Sequence, residues 1–158
     1  MPTPDFIVDL RSKIGHAPLW LSGVTAVVLR DEQVLLVRRA DNGAWTPVTG
    51  IIDPGEEPAV AAVREVLEEA GCVVEPERLA SVHVTSPVTY PNGDVSQYLD
   101  LTFRMRWVSG EPTVSDDENT DCGWFPLDAL PSMSAGMTYR LDTAIADRPD
   151  AQFRTGPA

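Results

Sequence analysis

Between residues 58 and 70 the hydrophobic pattern takes on a helical period, and no other stretch constrains the fold as much. At about 100° per residue, Val60, Val63, Leu67 and Ala70 fall in one stripe, widened by Ala59 and Val66. Pro58 suits the first helical position and Gly71 the place just beyond the last turn, so a helix is expected over residues 58–70. The runs on either side are strand-like. Residues 24–28 and 34–37 are rich in β-branched side chains and are joined by Asp31-Glu32-Gln33, which predicts a hairpin. Two further strands are expected over residues 79–85 and 97–107, separated by a turn at Asn92-Gly93, and a short one over 123–125. Phe6, Ile7, Leu10 and Ile14 recur at helical spacing, so residues 4–14 read as a short amphipathic helix ended by Gly15. Residues 126–130 read as one helical turn and 135–146 as a closing helix. Strands interrupted by one strong helix and closed by another predict a mixed α/β (α+β) sandwich.

A length of 158 residues suits one domain, and a hydrophobic fraction of 43% allows one sizeable core. No apolar run approaches the roughly 18–20 residues that span a bilayer. The N-terminus carries Asp5 and Asp9 before its first basic residue, unlike a secretory leader. Cys72 and Cys122 form no CxxC pair, so a reduced, cytoplasmic setting is expected. A formal net charge of −12 argues against a nucleic-acid polymer or an acidic membrane as partner. A phosphorylated substrate is compatible with that charge if divalent cations stand between carboxylates and phosphates.

Opposite the apolar stripe, Glu65, Glu68 and Glu69 lie within about 100° of arc on the helix surface. Carboxylates that close repel one another, and a bound divalent cation reverses the sign of that interaction. Such an oxygen-rich set suits Mg²⁺ or Mn²⁺. A lone E-x-x-E-E is ordinarily a solvated face, but its surroundings here are not ordinary. The turn-rich segment Gly50-Ile51-Ile52-Asp53-Pro54-Gly55-Glu56 delivers the chain to the helix, and Arg64 stands four residues before Glu68, where it can orient that carboxylate.

These residues resemble the Nudix signature: glycine, five residues, glutamate, seven residues, Arg-Glu, an aliphatic residue, any residue, Glu-Glu, any residue, glycine, an aliphatic residue. Gly50, Glu56, Arg64, Glu65, Val66, Glu68, Glu69 and Gly71 fill those places in register. Chance agreement at the fixed places is about one in a million, given ordinary residue frequencies. Three departures stand out: Cys72 replaces the final aliphatic residue, Thr49-Gly50-Ile51 replaces a frequent Pro-Gly-Gly, and Glu57 stands where Ser or Thr often caps the helix.

The resemblance implies a Nudix-type α/β/α sandwich with a mixed sheet. It divides the chain into an N-terminal helical extension over residues 1–17, a Nudix domain over 18–147 and a flexible tail over 148–158. It implies a hydrolase that cleaves a phosphoanhydride bond in a nucleoside triphosphate or in a nucleoside diphosphate linked to another moiety, with Mg²⁺ as cofactor and Mn²⁺ as substitute. Glu65 and Glu69 are the leading metal ligands, Glu68 is a third or an orienting partner of Arg64, and the Gly50 carbonyl is a further ligand. Glu56 supports the loop. The general base is either a helix carboxylate or one from a later loop, and in the run Asp116-Asp117-Glu118 we favour Glu118. One of Arg38 and Arg39 is expected to grip phosphate, the other to lie on the surface. Trp45, Tyr90 and Tyr98 are candidates to stack on a base, with core packing the competing use of each. His16 and His83 have no second ligand at metal spacing and read as ordinary. The partner is then a small nucleotide, and the N-terminal helix serves either a homodimer or its own domain. A Nudix-fold binding or regulatory module without catalysis is the alternative, though such a module would be expected to lose box carboxylates that this chain keeps.

Overall fold

Strand β1 (Leu19–Arg30) is the axis of the sheet in the computed structural model, which describes residues 3–115, 117–146 and 148–156. Asp116 of the acidic run and Asp147 at the expected tail boundary lie outside the described residues. Residues 24–28 are buried on both faces, which is why the run is continuously apolar or β-branched instead of alternating. Along one edge β1 pairs in parallel with β7 (Val95–Ser109), in register from Leu19↔Ser96 to Leu29↔Arg106. Strand β5 (Val73–Val84) lies antiparallel on β7. Along the other edge β1 meets β2 (Gln33–Arg39) only at Leu29↔Val34 and Arg30↔Gln33. Beyond that point β2 turns to β3 (Trp45–Thr46) and β8 (Asn119–Pro126), while β4 (Val48–Ile51) takes its place beside β1.

Helix α2 (Pro58–Ala70) covers one face of the sheet and α3 (Ala135–Ile145) the other, so the core divides into two clusters. Val24, Ala26 and Val28 of β1 pack toward α2, and Val27 packs toward α3. This is the expected α/β/α sandwich with a mixed sheet. The ends of α2 are those the sequence predicts, with Pro58 in the first turn and Gly71 left-handed at φ 65°. Its orientation is not. Val60 and Leu67 are 58% and 53% exposed, whereas Ala61, Ala62, Val66 and Ala70 are buried together with Glu65 and Glu69. Small alanines let the helix lie close to β1 and β4. The two glutamates can share that face because Arg64 and Asn119 supply hydrogen bonds to them. Leu67→Gln is therefore expected to change stability by less than about 0.5 kcal/mol. Val66→Ala should cost about 2 kcal/mol. Equal losses in chemical denaturation would refute this orientation.

Several strands exceed their expected lengths. β5 begins at Val73, and Pro76 within it sits at a register shift that tolerates a proline. β6 (Val88–Thr89) pairs with β7 across the Asn92-Gly93 turn, with Gly93 at φ 88°. Residues 126–130 form a single hydrogen-bonded turn, the Ala129 N–H on the Pro126 carbonyl at 3.1 Å, directly after β8, and the Leu127 N–H donates to the Glu32 carbonyl at 3.0 Å. In the tail, where fraying was expected, β9 (Gln152–Phe153) pairs in parallel with β5. Helix α1 (Asp5–Ile14) buries only Ile7 of its apolar residues. Arg11 fastens it to its own domain, donating to the carbonyls of Ala17 at 2.6 Å and Val95 at 2.8 Å. Among the described residues no helix is long and apolar enough to cross a membrane.

Candidate active site

Gly50 and Glu65 meet so closely that any side chain at position 50 would displace the Glu65 carboxyl. A Cβ on Gly50 would lie 2.1 Å from both Cδ and Oε1 of Glu65. Gly50 belongs to β4, where it pairs with Val24, and so starts the signature segment inside the sheet and not in a loop. On the neighbouring β1, a Cβ on Gly23 would stand 3.3 Å from the Gly50 carbonyl oxygen. The missing side chain of Gly50 thus leaves the room that the Glu65 carboxyl fills, and that of Gly23 lets the Gly50 carbonyl and Tyr98 approach β1.

One guanidinium organises the acidic residues. Arg64 donates from Nε and Nη2 to the two oxygens of Glu56, both at 2.8 Å, in a fork-to-fork pair. Its Nη1 donates to Glu65 at 2.8 Å and Glu68 at 3.2 Å, and its Nη2 also reaches the Ile51 carbonyl at 3.2 Å. Glu56 additionally accepts from the Asp53 N–H at 3.2 Å. Glu56 therefore ties the loop to the helix, and Glu68 is an oriented partner of Arg64. Arg64 holds the Glu56 carboxyl below the usual carboxylate range. Glu69, one helical turn from Glu65, accepts from Asn119 Nδ2 at 2.9 Å. The Ala40 N–H donates to the Glu118 carbonyl at 2.7 Å, and this brings the end of the acidic run to the end of β2.

Burial pushes Glu65 up to about 7 against the opposing pull of Arg64, with Glu68 and Glu118 adding repulsion. Among the described residues no three Asp, Glu, His or Cys side chains converge into a ready-made cage. Mg²⁺ does not need one, since it is commonly held by one or two carboxylates, waters and substrate phosphates. A buried carboxylate lacking enough positive charge, on a cavity wall shared with Gly50, fits such an ion. The sign of the pH dependence follows from the same shift. Glu65 ionises near 4.5 in the unfolded chain and near 7 in the folded one, so without metal its contribution destabilises the fold as pH rises between those values. A divalent cation removes that penalty. The rise in melting temperature on adding Mg²⁺ is expected to be larger at pH 8 than at pH 5.5, and a shift that shrinks with pH would contradict this.

Glu65, Glu118 and Gly50 lie on the wall of a cavity of about 720 Å³ that is lined by residues of β1, β3, β4 and β7. Arg39 lines it, half-buried and paired in a fork with Asp41 at 2.9 and 2.7 Å. Arg38 stays exposed outside it, its Nε on the Gly43 carbonyl at 3.2 Å. Trp45 lines the cavity with its ring edge-on to Phe125, centroids 4.7 Å apart. Tyr90 and Tyr98 also line it and share a 2.7 Å hydrogen bond between their hydroxyls. Sequence reasoning missed Asn119 and a buried polar group formed by Thr25, His83, Asp100, Thr102 and Arg140. No motif signals them, because their hydrogen bonds to one another and to Glu69, all but Thr102–Asp100, join residues at least 50 positions apart in the chain.

The NUDIX domain family model matches residues 20–146, and the chain belongs to that family. It is 35% identical over 130 residues to an NAD-capped RNA hydrolase NudC of Pseudomonas aeruginosa, covering 79% of this chain and 44% of that protein. A putative ADP-ribose pyrophosphatase YjhB of Bacillus subtilis is 30% identical over 131 residues, 82% of this chain and 62% of that protein. The chain spans about half the length of the NudC proteins it matches. Among solved structures, an ADP-ribose pyrophosphatase of Streptococcus suis has the same fold, with a TM-score of 0.63 at 23% identity, covering 85% of this chain and 98% of that one.

Proposed function

We propose that this domain is a divalent-metal-dependent pyrophosphohydrolase, using Mg²⁺ with Mn²⁺ able to substitute. Its substrate is a nucleoside triphosphate, or a nucleoside diphosphate linked to another moiety. The observation that carries this reading is the Glu65 carboxylate, buried against Gly50 on the wall of a large cavity with too little positive charge around it. Glu65 and Glu69 would hold the ion, with the Gly50 carbonyl as a further ligand. When bound, the cation polarises phosphoryl oxygens and lowers the pKa of an attacking water. Arg64 fixes Glu65 and Glu68 in place before substrate arrives, which limits reorganisation during reaction. Glu118 accepts the proton of the water that attacks phosphorus, and the bond to the bridging oxygen breaks, leaving two phosphate products. Arg39 grips a phosphate after exchanging Asp41 for it, and Trp45, Tyr90 and Tyr98 form the wall against the nucleoside.

The names of the NudC relatives refer to capped RNA. A net charge of −12 favours a small nucleotide over a polymer for this chain. A nucleotide panel tests the reading. Phosphate or phosphate-ester release should require Mg²⁺ or Mn²⁺ and stop in EDTA. Turnover that survives EDTA, or nucleotide binding without turnover at any metal concentration, would contradict it.

A further inference from the structure

The far wall of the same cavity carries a buried cation with no role in holding metal. Arg140 of α3 is only 7% exposed, yet it lines the cavity together with Asp100, Met137 and Ser134. Two of its three guanidinium nitrogens are committed. Nε donates to His83 Nε2 at 3.4 Å, and Nη1 donates to Thr25 Oγ1 at 3.1 Å and lies 3.4 Å from Met137 Sδ. Nη2 has no hydrogen-bond partner among the described residues, and it is not among the side-chain atoms sealed inside the protein without one. Its N–H groups therefore have open space to donate into, and the open space beside Arg140 is the cavity.

The group is rigid. Asp100 stands 3.5 Å from Arg140 Nε and accepts from Thr25 at 2.7 Å and Thr102 at 2.8 Å. Thr25 lies opposite Thr49 on β4, next to Gly50, so this wall is built on the same strands as the metal-facing wall. Asp100 already supplies the counter-charge to Arg140; of the other charges lining the cavity, Arg39 is paired with Asp41 and Arg11 with Asp94, which leaves Glu65 and Glu118 in excess. A further phosphate is therefore disfavoured at this end. A neutral oxygen acceptor is favoured, and the apolar surfaces of Met137 and Trp45 suit the flat ring that would carry it.

We propose that Arg140 is a specificity-determining residue that donates from Nη2 to a ring carbonyl of the substrate's base, so that the cavity selects oxo bases over their amino counterparts. This rests on reading the cavity as the nucleotide site. An exocyclic amine at the same place would set donor against donor and leave both unsatisfied. Inosine and adenosine form the cleanest pair, since they differ only at C6 and N1, an oxo group beside a protonated nitrogen in the one and an amino group beside an unprotonated nitrogen in the other.

The test measures dissociation constants of the non-hydrolysable α,β-methylene diphosphates of inosine and adenosine by calorimetry with Mg²⁺ present. The inosine analogue should bind the unaltered protein at least about tenfold more tightly, the scale of one lost hydrogen bond to a charged donor. In Arg140→Lys, which keeps a cation for Asp100 but loses the planar fork, the preference should fall to about twofold or less. Equal affinities, tighter binding of the adenosine analogue, or no binding of either would overturn the proposal, and the comparison in the unaltered protein decides without any variant. Hydrolysis has its own readout in metal-dependent phosphate release. Turnover without base preference removes only this inference, and preference without turnover removes only the catalytic reading.

Discussion

Glu65→Gln is expected to lower turnover by roughly 10²–10⁴-fold, the scale of several kcal/mol of lost metal-borne charge stabilisation. The same change should leave the metal-free protein at pH 8 at least as stable as the parent. These opposite outcomes follow from one position. The ionised carboxylate is disfavoured by burial more than Arg64 favours it, which is why its ionisation is pushed up to about 7. Glutamine removes the charge and keeps an oxygen that can accept from Arg64 Nη1. The stabilisation that Mg²⁺ confers on the parent should be largely lost. Melting curves in EDTA and in Mg²⁺, run beside a turnover assay, read all three effects. A variant that turns over like the parent would remove Glu65 from the site. A variant that melts far below the parent in EDTA would mean that the charge is structural.

Gly50→Ala should be about as damaging to activity, by roughly 10² or more, but through shape instead of charge. The added carbon would fall 2.1 Å from the Glu65 carboxyl, so carboxylate and strand cannot both stay where they are. Glu65 is the more mobile of the two, since Gly50 is paired into the sheet against Val24. Its carboxylate would move away from the cavity and strain its bond to Arg64. The expected cost in stability is about 1–3 kcal/mol, as for overpacking elsewhere. Because the metal ligand is displaced and not deleted, a higher Mg²⁺ concentration should recover part of the lost turnover in Gly50→Ala, but not in Glu65→Gln. Turnover within a fewfold of the parent at low Mg²⁺ would show that Gly50 and Glu65 are not held as described.

The ends of α2 were legible in the sequence because Pro58 and Gly71 mark them by local chemistry. The register of Gly50, Glu56, Arg64, Glu65, Glu68 and Glu69 was legible because the signature is a single local segment. The buried face of α2 was not. Hydrophobic periodicity weighs Val60 and Leu67 more heavily than Ala61 and Ala62, yet close approach to the sheet favours the small residues. It also treats Glu65 and Glu69 as outward, although Arg64 and Asn119 give them partners that permit burial. Asn119 and Arg140 were missed for a different reason. Asn119 meets a residue 50 positions away, and Arg140 bonds Thr25 from 115 positions away, so only the folded sheet brings them together. Of the two arginines ending β2, the register shift between Arg38 and Arg39 decides which one turns into the cavity, and a bulge of that kind leaves no mark in composition.

The most direct test is to locate Mn²⁺ by anomalous diffraction in crystals soaked with the ion and a non-hydrolysable nucleotide. The expected result is a peak bound by the carboxylates of Glu65 and Glu69 beside the Gly50 carbonyl, with the nucleotide's phosphates completing its coordination. A peak elsewhere, with Glu65 still bonded only to Arg64 and the nucleotide outside the cavity, would contradict the assignment.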